Sequence, residues 1–209
     1  MDLKTISLTL AVALMLTACS GDSVSSLGGD PSPQAEVGVT ISGSCYNSEM
    51  GIGSVNAEII ALEDGISSIT GTATVSNENI KNILSNDPRT EINGDEVSIS
   101  DIKFKNTTDG IAAVNGLAEG IIVKYDAKVG DEYKTEDGTV RTVMAVSTED
   151  DFFWGFMMIK VIEVEEHPNK LGVETIRYYA NHRFGMVGMQ FTFDDESVAA
   201  FPVYVSTEN

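Results

Sequence analysis

The groups best suited to covalent, acid–base or metal chemistry are scarce in this chain, which has two cysteines, Cys19 and Cys45, and two histidines, His167 and His182, among 209 residues. A closed zinc site draws four convergent thiolate or imidazole ligands, and four such residues spread this widely supply too few at any one place; no metal ligands and no cofactor are expected. His167 stands in Glu165-Glu166-His167-Pro168-Asn169 and His182 in Asn181-His182-Arg183-Phe184-Gly185, both of which read as turns rather than as the surroundings of a base. Cys45, in Gly43-Ser44-Cys45-Tyr46-Asn47, has no neighbouring His or Lys to depress its pKa and reads as an inert buried thiol. The nucleophile elbow, the paired-histidine zinc motif and the glycine-rich phosphate loops are all missing. Hence a non-catalytic protein is expected.

Carboxylates are the abundant reactive group. There are 32 Asp plus Glu against 13 Lys plus Arg, a formal net charge of -19, which excludes nucleic-acid binding driven by basic charge. Two carboxylates flanking a cleft could hydrolyse a glycoside, so a carboxylate-based hydrolase is one reading. Another draws on 152–158, Phe-Phe-Trp-Gly-Phe-Met-Met, the densest apolar stretch after residue 19. As a core strand it needs no further role, Gly155 marking a bulge or bend. As the wall of a groove, Phe153, Trp154, Phe156 and Met158, with Met186 and Met189, would hold an apolar or carbohydrate ligand.

Cys19 has a distinctive setting. Residues 6–16 form an apolar run too short to span a bilayer, and it closes in Leu16-Thr17-Ala18-Cys19. That tetrapeptide resembles the lipobox of bacterial lipoproteins, whose signal peptidase cuts before a cysteine that carries diacylglycerol on its sulfur. The resemblance implies a signal peptide over 1–18, lipidation of Cys19, and attachment to the membrane through the N-terminal lipid. Ser20, where an Asp would resemble the retention signal of enteric inner membranes, favours the outer membrane by the same analogy.

The elements that must position any site follow. Residues 19–36 are rich in Ser, Gly, Pro and acid and read as a lipidated flexible tether. Residues 37–209 read as a β-rich domain with possible halves 37–125 and 126–209; a hydrophobic fraction of 42% with 22% charged residues suffices for a core. In the first half, strands over 54–62 and 66–75 flank Glu63-Asp64-Gly65, a short helix spans 77–85 with Ile80, Ile83 and Leu84 on one face, and Asn93-Gly94-Asp95 turns into a strand over 96–104. In the second half, segments at 132–135, 139–147, 153–165, 172–180, 186–193 and 198–205 form an antiparallel meander. Alternation puts Val140, Thr142, Met144 and Val146 on one face, and Val187, Met189, Phe191 and Phe193 on another. Turns of a meander fall at alternate ends, so Glu136, Asp137, Glu165, Glu166, Asp194, Asp195 and Glu196 crowd one rim, which suggests either solvated turns or a weak calcium site. The other end brings Glu149, Asp150 and Asp151 near His182 and Arg183.

About the last 85 residues, through Val129-Gly130-Asp131, Tyr178-Tyr179-Ala180-Asn181 and Phe184-Gly185-Met186-Val187, resemble the β-meander module of uncharacterised envelope lipoproteins. Some related modules are similar to half-barrel carriers that shuttle lipids or lipoproteins, in which a curved sheet encloses an apolar cavity. The fold expected is therefore mainly β, a curved sheet, half-barrel or sandwich with one short helix. Its role would be an envelope protein that binds a partner protein or has a structural part, with a carrier of an apolar small molecule as the alternative.

Overall fold

A computed structural model describes residues 23–44, 51–116, 118–168 and 172–206; the segment 1–18 read above as a signal peptide, Cys19 and Cys45 lie outside them. The fold is mainly β. The strands are β1 (Thr40–Ser44), β2 (Ile52–Glu63), β3 (Ile66–Val75), β4 (Thr90–Asn93), β5 (Glu96–Asn106), β6 (Gly110–Ala113), β7 (Gly120–Lys124), β8 (Glu132–Lys134), β9 (Val140–Val146), β10 (Phe152–Trp154), β11 (Met157–Ile159), β12 (Ile162–Glu166), β13 (Val173–Asn181), β14 (Gly185–Phe193) and β15 (Val198–Ser206), with the helix α1 at Glu78–Leu84.

Thirteen of the strands form one antiparallel sheet in the order β7-β6-β5-β3-β2-β1-β15-β14-β13-β12-β9-β8, with β4 beside β5. The first and last strands of the chain, β1 and β15, pair with each other, so the two halves meet in one sheet that curls into a nearly closed barrel. The ladder breaks only between β7 and β8, two strands that are consecutive in the chain. Local chemistry explains the up-and-down course. Asp64 and Gly65 both have positive φ, 51° and 76°, the conformation a two-residue hairpin needs, and they join β2 to β3. On β2, Val55, Ala57 and Ile59 turn inward while Ser54, Asn56 and Glu58 face water, as period-two patterning requires.

The helix starts where expected: the Ile80 amide donates to Asn77 Oδ1 at 3.1 Å, a side-chain cap. A helix of seven residues does not hold alone; Ile80 and Ile83 pack it against the main core.

Three expectations need correcting. The segment read as a flexible tether is docked over residues 23–36: it makes two short 3₁₀ turns, buries Leu27 and Ala35, and runs beside the β5–β6 connection, where the Ser32 amide donates to Asn106 O and the Thr108 amide to Asp30 O. Lys105 Nζ donates to Leu27 O and Ser67 Oγ to Ala35 O. Polar composition concealed a segment whose few apolar side chains each find a slot. Residues 153–165 are not one strand: Gly155, at φ 61°, turns a separate hairpin, β10–β11, ahead of β12.

The face assignments also shift. On β9, Arg141 and Val143 are buried while Val140 and Met144 are exposed, because Arg141 is held inside by partners described below. A register shift opposite Glu163/Val164 changes the phase at Met144, returning Val146 to the core side. A second shift at Tyr179/Ala180 sends Val187 to the small cluster under the hairpin, while Phe193 stays in the main core.

Candidate functional site: an apolar cavity and the seam that closes the barrel

The barrel is not filled. Between the inner face of the sheet and α1 lies a cavity of about 370 Å³, within the size range of small-molecule pockets. Ile80 and Ile83 of the helix, Phe104 of β5, Met189 and Phe191 of β14 and Phe201 of β15 border it. Each of these side chains is only half-buried, although it faces the interior. Polar lining comes mainly from Asp87 and Thr90, which follow the helix, and from Asn115. Asp87 is buried and holds Arg89, with Nε 2.9 Å from Oδ1. On the outer surface of β1, β2, β3 and β5 there is a wider, shallower trough of about 730 Å³, bordered by hydroxyls that include Thr40, Ser42, Thr70, Thr72, Ser98 and Ser100.

The break between β7 and β8 is closed by side chains. Arg141 of β9 donates to Glu166 Oε2 from Nε, to Ile121 O at 2.7 Å from Nη1 and to Ala118 O at 2.8 Å from Nη2. Arg141 and Glu166 are each 2% exposed. The guanidinium carbon lies 5.7 Å from the centre of the Tyr178 ring. Beside it, the Lys124 amide donates to Tyr133 Oη at 3.3 Å. A planar five-donor fork suits this work, since it can satisfy a carboxylate and two backbone carbonyls at once. Burial, with the Glu166 charge adding, lifts the Tyr178 phenol well above the usual tyrosine range.

The six residues expected to line a groove are not brought together. Only Met189 borders the cavity. Met186 packs on the main core. Trp154 is buried in the small outer cluster, where its indole N–H donates to Val203 O at 2.9 Å and its ring lies 4.7 Å from Phe184 and 5.5 Å from Tyr204, centre to centre. Phe153, Phe156 and Met158 are exposed, contrary to the core-strand reading.

The acidic rim also dissolves. Glu166 is inside, and Glu165 lies in β12 and accepts from Arg177 Nε at 2.6 Å. Asp137 accepts from Thr135 Oγ1 and the Thr139 amide, and Asp195 from the Ser197 amide at 3.0 Å; these hydrogen bonds to Ser197 hold the Asp195 carboxyl below its usual range. These carboxylates fold their own turns. No group of three His, Cys, Asp or Glu among the described residues converges as a metal site. At the other end Arg183 lies over the Phe184 ring at 5.2 Å, and its carbonyl accepts from Gln34. His167 is exposed, with Nε2 3.4 Å from Glu165 Oε1.

Sequence reasoning passed over Arg141, placed Glu166 on a rim of turns and met Tyr178 only within a resemblance motif. The available signal was an arginine next to Val140, at the start of a strand that is otherwise apolar or hydroxylated.

No family model matches the chain, and no curated protein does. A solved structure from Bacteroides fragilis, named provisionally as an exported protein with a YmcC-like fold, is similar to it at 10% identity over 81% of this chain and 94% of that one, with a TM-score of 0.35. At that score the likeness decides neither fold nor function. Among the described residues no helix is long and apolar enough to cross a membrane.

Proposed function

We propose that this chain is a lipid-anchored protein of the cell envelope, outer membrane in location, whose nearly closed β-barrel carries an apolar small molecule and performs no catalysis. The cavity carries the reading: about 370 Å³ bordered by large apolar side chains left half-bare, where a packed core would have closed over them. The two carboxylates buried among the described residues, Asp87 and Glu166, are each engaged by an arginine, which weighs against the hydrolase reading. The lipobox-like Leu16-Thr17-Ala18-Cys19 supplies the anchor and the compartment.

Two measurements test it. Protein purified from membranes should yield an apolar compound on organic extraction and bind N-phenyl-1-naphthylamine saturably. Val55→Trp, which projects bulk into the cavity, should weaken the probe by roughly tenfold or more, a loss of about 1.4 kcal/mol. Non-saturable probe uptake, or uptake unchanged by Val55→Trp in a folded variant, would refute the carrier. Labelled palmitate should enter the wild type and not Cys19→Ser; equal labelling would refute the anchor.

A further inference from the structure

The hairpin β10–β11 is not accounted for by the barrel or its cavity. One face lies on the outside of the sheet: Trp154 and Ile159 are buried with Val161 and Val187, and Phe152, Phe184 and Tyr204 pack around them. The other face is equally apolar and faces water. Phe153 and Met158 are cross-strand partners and are 64% and 49% exposed; Phe156, at the tip, is wholly exposed, and Met157, although paired with Trp154 on the sheet-facing side, is half exposed beside the tip. Exposed strands of a water-soluble sheet ordinarily alternate apolar with polar, and an apolar cluster left outside marks a surface that something covers.

Position and charge identify what covers it. Residues 27–34 are pinned to one end of the barrel by Lys105, Asn106 and Thr108, and Gln34 donates to the carbonyl of Arg183. The next residue, Phe184, packs its ring against Trp154 of the hairpin at 4.7 Å, centre to centre. The incoming chain and the hairpin therefore occupy the same end. Cys19 is four residues before Ser23, and at about 3.6 Å per fully extended residue those span at most about 14 Å. A chain of net charge -19 is repelled by acidic lipid, yet residues 152–159 carry no charged side chain. Aromatic and Met side chains on such a segment suit the boundary between headgroups and acyl chains.

We infer that the tip of this hairpin, Phe153, Phe156, Met157 and Met158, dips into the bilayer as a second membrane contact beside the N-terminal lipid. The inference rests on the anchor reading, and the test separates the two. Trp154 is the sole tryptophan of the chain and reports on the hairpin. The full chain as the cell makes it is reconstituted into phosphatidylethanolamine vesicles containing phosphatidylcholine brominated on its acyl chains. Trp154 emission should fall by roughly half relative to unbrominated vesicles: its ring faces the sheet, but its strand neighbour Phe153 is exposed on the other face, so a dipped tip, about 5–10 Å into the boundary, carries the indole close to the acyl chains. In the variant Phe153→Ser/Phe156→Ser/Met158→Ser the quenching should be lost while the protein still floats with the vesicles. If melting shows the triple variant unfolded, Phe156→Ser alone, at the wholly exposed tip, should reduce the quenching. Wild-type protein that floats but is not quenched overturns the hairpin inference and leaves the anchor standing. Cys19→Ser that floats as well as wild type overturns the anchor, and the hairpin is then judged by whether its quenching persists. Self-association in detergent that the serine variant abolishes, with no quenching in vesicles, would assign the patch to a second copy and overturn the proposal.

Discussion

Replacing Arg141 by Met keeps most of the side-chain length and removes the guanidinium that closes the barrel. Three acceptors then lose their donor together: Glu166 Oε2, Ile121 O and Ala118 O. Glu166, 2% exposed, would be left as a buried charge without its partner, a change that costs about 3–5 kcal/mol in buried pairs. Against a total stability of about 5–15 kcal/mol for a native domain, that is a large share. Glu166→Met should cost less, because the guanidinium keeps its two carbonyls. The double variant Arg141→Met/Glu166→Met removes both charges and strands only the carbonyls, at about 1–3 kcal/mol. The double substitution should therefore be milder than Arg141→Met alone, a strong non-additivity. Urea unfolding of the four proteins, read as free energies with their m-values, measures this directly. Hydrogen exchange at 118–124 should accelerate in Arg141→Met ahead of exchange in β2 and β3. If the two single costs simply add, or if Arg141→Met costs under about 1 kcal/mol, the pair does not close the barrel in the way argued.

Two other perturbations probe different parts of the molecule. Leu27→Ala should release the docked segment, lowering stability by about 2–3 kcal/mol, the low end for a buried leucine, and exposing 23–36 to proteases; a cleavage pattern identical to wild type would show the segment held without Leu27. Burial raises the phenols of Tyr178 and Tyr125, so above pH about 10 the unfolded chain sheds protons that the folded chain retains, and stability must fall as pH rises, by up to about 1.4 kcal/mol per pH unit for each tyrosine. Tyr178→Phe should flatten that decline between pH 10 and 11, and parallel curves for the variant and wild type would contradict it.

Many of the strands were legible because they rest on local rules: Asp64-Gly65 and Asn93-Gly94 announce their hairpins, and Asn77 announces the helix; β1, β4, β6 and β7 were not separated, and 153–165 read as one strand. What could not be read were features that depend on distant partners. Arg141 is inward because Glu166 and two carbonyls await it 20 or more residues away, and no periodicity encodes that. Two register shifts, near Met144 and Val187, changed which side chains face the interior, since one extra residue flips everything beyond it. The aromatic run at 152–158 looked like core because apolar density measures burial only on average. The cavity was invisible for a related reason: an apolar side chain that lines an empty space and one that fills a packed core have the same sequence signature.

The side-chain closure between β7 and β8 also governs how the molecule behaves among its neighbours. An open thirteen-stranded sheet would present two long rows of free amides and carbonyls, each an invitation to another chain's strand. Here the two rows face each other across a gap occupied by a guanidinium and a phenol, and one of the flanking strands is only three residues long, with Glu132 and Lys134 exposed. Copies crowded at high density therefore find little to zip onto. Loosening that gap should expose both edges to other chains, and light scattering of Arg141→Met against the wild type at matched concentration would register it.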